Sequence, residues 1–473
     1  MRVAVISAEA VPYSKTGGLG DVAGALPKAL KAVGVDSLLI TPCYLQTKGE
    51  YLWSTAIHDL NVDWQGGMYP AKAFYSEANG SPTFLIDAPS YFHRDSIYGY
   101  TEDYERFAFF NHAALLLLKR IGAAPDIVHL NDWHCGFAAV EIAAARRWDS
   151  YWRNTRTVFS IHNMAYQGGF GLGELWKLGF GSDLARSAFS FNGYGSAMKA
   201  GLETSDTLST VSRRYAQEIQ TPENGYGLEW LTRQRAGRLI GITNGVDYEV
   251  WNPKTDPEIP AHFNIDDLAG KRECKRALLD AFSLPLDLER PILANITRLT
   301  AQKGIDLMMQ IAGDVLETGA YIISLGSGEK RYEDFWQSLR DYAPRQVGIY
   351  RGYNESLAHK IEAGADMFMM PSKFEPCGLN QMYSLRYGTI PIVRAVGGLD
   401  DTVQNFDAVN GAGNGFKFGP YQADRFLERI YEALFAYADS QTWRTIQRNG
   451  MSVDNSWENA ARKYVELYEW TRS

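Results

Sequence analysis

The stretch SKTGGLGDV, residues 14–22, sets a lysine before two adjacent glycines, a third glycine two positions on, and then an acid. It lies between VAVIS (3–7), a short β-branched apolar run, and DVAGALPKALKAVGV (21–35), in which Val22, Leu26, Leu30 and Val33 fall on one helical face. Strand, glycine loop and helix in that order open a doubly wound α/β layer. Asp21 either caps the helix or opens its first turn, and Pro27 is expected to kink it or loosen its first turns. The loop admits two readings. Glycines that let a ligand approach free N–H groups at a helix start make an anion site, to which Lys15 adds a point charge. Alternatively, it is a tight glycine turn with a solvated lysine. Gly18, Gly20 and Ala23 also match G-x-G-x-x-A. A dinucleotide site, however, wants an acid at the end of the second strand, and that strand ends in LLITPCY (38–44). No GxxxxGK[ST] occurs in the chain, which speaks against a P-loop enzyme.

The same alternation of apolar runs and helical stretches continues for 473 residues, a length that suggests two or three domains. In the first half the runs are RVAVIS (2–7), DSLLIT (36–41), PTFLID (82–87), DIVHL (126–130), TVFSIH (157–162) and TLSTVS (207–212). In the second they are PILANITR (291–298), YIISLG (321–326), VGIYRG (347–352), DMFMMPS (366–372) and IPIVRAV (390–396). None alternates with polar residues, as strands of a parallel sheet covered on both faces require. TNGVDYEVWNPKTDPEIP (243–260), rich in Asn, Pro and Asp, reads as the linker between two doubly wound domains. Ligands of such sheets bind beyond the carboxyl ends of the strands.

Composition narrows the function. A net charge of −8 argues against a general nucleic-acid binder, whose affinity comes from a basic surface. The longest apolar run outside the N-terminus, AALLLL (113–118), is too short to span a membrane. The first residues, MRVAVISAEAV, are broken by Glu9 and read as a strand rather than a signal peptide. Cys43, Cys135, Cys274 and Cys377 form no CxxC pair and read as free thiols of a reducing cytosol. His129 and His134 lack a third ligand at metal spacing, and neither HExxH nor Asp-x-Asp occurs. Aromatic residues make up 13% of the chain, mostly core by expectation, with a minority able to stack on sugar rings.

Further polar clusters follow other strand runs. TRLTAQKGID (297–306) sets Arg298 and Lys303 five positions apart, a bidentate cation and a point cation that suit a diphosphate or, equally, form a surface basic pair. SKFEPCGLNQMYSLRYGTIPIV (372–393) offers Glu375 at a strand end, then a glycine turn and a helix from near Leu379. Glu375 either meets sugar hydroxyls and a positively charged transition state or simply stabilises a helix entry. His162 in SIHNMAYQG and Asp132 in HLNDWHCG stand at two more strand ends, each open to a ligand-binding or a structural role.

Taken in order, KTGGLGDV, HNMAYQG, NGVDYEVWNP, TRLTAQKGID and FEPCGLNQMYSLRYGTIPIVRAVGGLDDTV resemble the bacterial glycogen synthase and plant starch synthase family over essentially the whole chain. The resemblance implies an α/β protein of two doubly wound, Rossmann-like domains facing a deep cleft, the GT-B glycosyltransferase type. It places residues 1–245, with a C-terminal helix (456–473) packing back, on the acceptor side, and 246–455 on the nucleotide-sugar side. It implies retaining transfer of glucose from ADP-glucose to the non-reducing end of an α-1,4-glucan, without metal or other cofactor, in a bacterial cytosol. Lys15 and the backbone at Gly17 and Gly18 would meet the phosphates and the donor glucose. Arg298 and Lys303 would neutralise the departing diphosphate. Glu375 would contact the donor sugar and stabilise an oxocarbenium-like state, with the helix after Cys377, Gly378 and Leu379 adding its dipole. His162 would bind the donor glucose near its 6-hydroxyl, Asp132 and Asn244 would line the acceptor and sugar side, and Tyr353 would pack on the adenine. HLND (129–132) lacks a second histidine that some members carry.

Retention admits a carboxylate nucleophile or reaction on one face, with the leaving phosphate taking the acceptor's proton. No residue is an obvious nucleophile on the opposite sugar face, and the family is described as reacting on one. Domain closure on ADP is a further expectation of the resemblance, checked by compaction in solution scattering. A UDP-glucose enzyme, a non-catalytic glucan binder and a dinucleotide oxidoreductase are the competing readings. The second predicts loss of at least one of Lys15, Arg298, Lys303 and Glu375, and all four are present. Neither a plastid-targeting segment nor an added carbohydrate module is expected.

Overall fold

The computed structural model describes residues 1–47, 49–51, 54–57, 59–122 and 124–473. The chain divides into two compact units, Met1–Gly245 together with Trp457–Ser473, and Val246–Ser456.

The first unit is built on a nine-stranded sheet: β1 (Arg2–Ile6), β2 (Asp36–Pro42), β3 (Ser54–Ile57), β4 (Lys72–Ser76), β5 (Thr83–Asp87), β6 (Ile127–Asn131), β7 (Arg156–Ile161), β8 (Thr207–Thr210) and β9 (Leu239–Gly241). Their spatial order is β9-β8-β7-β6-β1-β2-β5-β4-β3. The seven strands from β9 to β5 run parallel, and β4 and β3 extend the edge antiparallel. The order reverses between β1 and β6, and a ligand crevice opens at such a switch point. All six strand runs read from the first half are strands here. The edge pair and the three-residue β9 were not among them.

The helix after the SKTGGLGDV loop spans Gly18–Ala32 with Gly17 as its cap residue, so Asp21 lies inside the first turn and is not the N-cap. Pro27 is accommodated within one continuous helix, and its carbonyl accepts the Ser37 hydroxyl at 2.7 Å. Val22, Leu26 and Leu30 are buried in a core shared with the C-terminal helix Trp457–Arg472. That helix supplies Trp457, Ala460, Ala461, Tyr464, Leu467 and Tyr468 to the same core. Each large apolar side chain so buried contributes roughly 1.5–3 kcal/mol.

The second unit repeats the plan with β10 (Ile292–Ile296), β11 (Tyr321–Gly326), β12 (Val347–Arg351), β13 (Met367–Met370), β14 (Ile390–Arg394) and β15 (Phe416–Phe418). All pairings are parallel, in the order β12-β11-β10-β13-β14-β15, and the switch point lies between β10 and β13. The division between the units falls inside 243–260, the expected linker, but from Val246 onward that stretch is packed into the second unit. The Trp251 ring stacks between His359 (3.8 Å) and Tyr383 (4.1 Å), and Asp256 accepts hydrogen bonds from His359 Nδ1 at 2.7 Å and from Tyr387. Aromatic stacking and a buried carboxylate hold a polar stretch that composition alone marks as loose. No described helix is long and apolar enough to cross a membrane.

Candidate functional site

In the second unit a cavity of about 300 Å³ opens at the switch point. Arg298, Lys303, Tyr353, Glu375, Gly378 and Leu379 all line it, brought together from the segments that follow β10, β12 and β13. Glu375 is buried and ion-paired with Lys303 Nζ at 2.6 Å, and the buried Ser372 hydroxyl donates to the same carboxylate oxygen at 3.1 Å. Arg298 is exposed, and its guanidinium enters no hydrogen bond or ion pair among the described residues. Tyr353 is 70% exposed, a ring open to stacking at the rim. The cavity thus holds a neutralised carboxylate at its wall, an uncommitted guanidinium and an open aromatic face.

Local backbone chemistry explains how Glu375 comes to face this space. Lys373 N–H donates to the Gln302 carbonyl at 2.7 Å, and Gln302 Nε2 donates to the Phe374 carbonyl at 3.2 Å, so the turn carrying Lys303 and the segment before Glu375 brace each other. A Cβ on Gly397 would fall 1.9 Å from the Glu375 carbonyl oxygen, so only glycine lets the VGGLDD segment seat against the Glu-Pro-Cys turn. Gly378 has φ +71°, in the left-handed region, and turns the chain into the helix Asn380–Arg386. Cys377 is buried, as are Cys43, Cys135 and Cys274, and none of the four is joined in a disulfide among the described residues. Gly397 and Gln302 were not singled out from the sequence, although AVGGLDD stands there as a glycine pair opening a helix.

In the first unit the candidate residues again follow strands: Lys15, Gly17 and Gly18 after β1, Asp132 after β6, His162 after β7 and Asn244 after β9. Lys15 Nζ pairs with Asp21 at 2.7 Å. Asp132 and His162 are brought together: the Asp132 carboxylate accepts the backbone N–H of His162 at 2.7 Å and of Asn163 at 3.4 Å. Asp132 has φ +57° and ψ −179°, a conformation costing about 1–3 kcal/mol in a non-glycine residue and found where a side chain must be aimed. Burial pushes its carboxyl up to about 7, against the two amides that favour the charged form. His162 Nε2 lies 2.9 Å from Asn131 Oδ1, and burial pushes the imidazole down to about 4, so the ring is neutral near pH 7. The Asn244 Oδ1 is buried without a partner among the described residues, a polar atom for a ligand to satisfy. Asn131, which orients His162, escaped the sequence reading. The strand-buried His129, weighed from the sequence only as a metal ligand, has its Nδ1 facing the Tyr468 hydroxyl at 2.8 Å.

The described residues contain no group of three His, Cys, Asp or Glu able to hold a metal ion.

Comparison with known proteins gives these clusters a context. The profile of the starch synthase catalytic domain matches residues 2–234, and that of glycosyl transferases group 1 matches 279–449. A glycogen synthase of Koribacter versatilis is 43% identical, over 99% of this chain and 98% of its own. That of Clostridium perfringens is 41% identical over 99% and 98%. Among solved structures, the catalytic domain of starch synthase IV from Arabidopsis thaliana, bound to ADP and acarbose, superposes with a TM-score of 0.89 at 34% identity, covering 99% of both chains. Sucrose-phosphate synthase of Thermosynechococcus elongatus, at 18% identity and TM-score 0.61 over 99% and 98%, shares the fold. With near-complete coverage at these identities, a two-domain GT-B architecture and both family profiles in sequence order, the chain belongs to the glycogen and starch synthase family of glucosyltransferases.

Proposed function

We propose that the chain elongates an α-1,4-glucan at its non-reducing end, taking glucose from ADP-glucose with retention and without a metal. The observation that carries this reading is the Lys303–Glu375–Ser372 cluster beside the uncommitted Arg298 in the switch-point cavity. In the reaction the acceptor's hydroxyl oxygen bonds to the anomeric carbon, the bond from that carbon to the diphosphate oxygen breaks, and the acceptor's proton passes to the leaving phosphate. Negative charge grows on the diphosphate and positive charge on the sugar ring. Cations at the first and a carboxylate at the second stabilise those charges where they develop, and such fixed groups act strongly in a site closed to water. Arg298 gives bidentate contact to phosphate oxygens, and Lys303 shares its charge between Glu375 and the diphosphate. Tyr353 offers a stacking face to adenine, consistent with the ADP held by the starch synthase relative.

Lys15 and the Gly17–Gly18 backbone serve the phosphates and donor glucose from the first unit, and neutral His162 hydrogen-bonds the donor sugar. Asp132 and Asn244 take the acceptor and sugar side. Glu375→Gln is the test. It should lower kcat by roughly 10²–10³, with no glycosyl-enzyme in the mass spectrum after incubation with ADP-glucose. A trapped covalent sugar would overturn the one-face route, and unchanged kcat would remove Glu375 from the site.

A further inference from the structure

The loop between β1 and the helix Gly18–Ala32 closes around one carboxylate, that of Glu9, which is 3% exposed. Its Oε2 accepts the backbone N–H of Thr16, and that of Gly17 at 3.3 Å. Its Oε1 accepts the Thr16 hydroxyl at 3.0 Å and the Tyr98 hydroxyl at 3.1 Å. A Cβ on Gly20 would sit 3.3 Å from Oε2, so the third glycine of SKTGGLGDV makes room for this carboxylate. The Thr16 and Gly17 amides are thus spent on Glu9, while the amides of Gly18 and Leu19 at the helix start make no hydrogen bond among the described residues. Tyr98 extends the connection. Its ring stacks on His134 at 4.8 Å, two residues beyond Asp132, and the 94–103 segment that carries it is pinned by the buried Arg106, whose guanidinium donates to the carbonyls of Tyr91 (2.7 Å) and Ile97 (3.1 Å).

We propose that Glu9 is a positioning residue for glucosyl transfer. It occupies the amides of Thr16 and Gly17, fixes the approach of Lys15, leaves the next two amides to the donor's phosphate, and through Tyr98 ties this loop to the Asp132–His162 side of the site. The inference rests on the reading of Lys15–Gly18 as the donor-phosphate loop. Burial works against a charge on Glu9, and the four donors work for it. A buried carboxyl that gathers four donors beside a loop meant for an anion is an arrangement that packing alone has no need of.

The test compares Glu9→Gln, Tyr98→Phe and Lys15→Ala in the full-length enzyme, with melting temperature and separate KM values for ADP-glucose and glucan. A glutamine presents an N–H₂ where donors converge, so Glu9→Gln should raise the ADP-glucose KM roughly tenfold or more, at an unchanged glucan KM. Tyr98→Phe, which removes one donor and keeps the ring, should raise it a few-fold and serves alone if Glu9→Gln does not fold. An ADP-glucose KM unmoved in Glu9→Gln and Tyr98→Phe but raised in Lys15→Ala overturns the role of Glu9 only. An ADP-glucose KM unmoved in Lys15→Ala overturns the reading of the loop itself. Equal loss for both substrates, tracking the melting temperature, assigns Glu9 to stability and also contradicts the proposal.

Discussion

Lys303 and Glu375 form an ion pair whose side chains are only 17% and 9% exposed, so each is the other's main compensation for leaving water. Removing one partner leaves a charge unpaired and costs about 3–5 kcal/mol. Replacing both with neutral groups of similar size should cost less than the two single changes summed. A double-mutant cycle on Lys303→Met and Glu375→Gln, read by denaturant melts, should therefore be strongly non-additive. Additive losses would mean that the pair is not formed in solution. Arg298 is the contrasting case. With no protein partner among the described residues, its loss should leave the melting temperature unchanged and weaken the donor instead. Arg298→Ala should raise the ADP-glucose KM by roughly 10–100-fold, the worth of a charge-assisted contact to phosphate. An unchanged KM would place Arg298 outside the site. The cations and the carboxylate were legible in the sequence because each stands immediately after an apolar strand run. Their mutual pairing was not, since Lys303 and Glu375 are 72 positions apart and only the sheet order adjoins them. Glu9 was hidden for a similar reason: inside a run it reads as an interruption, and its partners become apparent only once the loop folds back.

At the scale of elements, the C-terminal helix and β6 are joined by His129, with Tyr468 on one ring nitrogen and Ser160 at 2.6 Å on the other. Burial pushes this imidazole down to about 3. A group whose folded pKa is depressed contributes stability that is complete above its unfolded value near 6.5 and is lost as pH falls toward 3. Within that window the native state binds fewer protons than the unfolded chain, giving about 1.4 kcal/mol of lost stability per pH unit. His129→Gln, which retains hydrogen-bonding capacity, should be less stable at pH 7 and should show a shallower acid slope by about that amount in melts between pH 6.5 and 4. Parallel curves would contradict a buried neutral His129. Leu467→Ala on the same helix should cost about 2–5 kcal/mol at any pH, because it opens a cavity and titrates nothing. The helix was expected from the family resemblance, and the eleven strand runs were legible from their unbroken apolar character. β9 and β15, with three residues each, are too short for periodicity to register, and β3 and β4 lie at an antiparallel edge. The linker reading of 243–260 holds at the division after Gly245 but misses the packing beyond it, because Asn, Pro and Asp mark irregular backbone, and irregular backbone can still be pinned by a stacked tryptophan.

For the molecule as a whole, one topology is used twice: in each unit the strand order reverses beside the first strand, and the candidate residues collect at the carboxyl ends there. It was the family resemblance of the motifs, in their order along the chain, that joined residues spread from Lys15 to Glu375 as one system before any coordinates. The most direct measurement is glucose incorporation into glycogen by the purified protein, with ADP-glucose and UDP-glucose compared side by side and EDTA present. The account predicts strong incorporation from ADP-glucose, little from UDP-glucose and no loss on chelation. Incorporation chiefly from UDP-glucose, or activity abolished by EDTA and restored by a divalent cation, would contradict it.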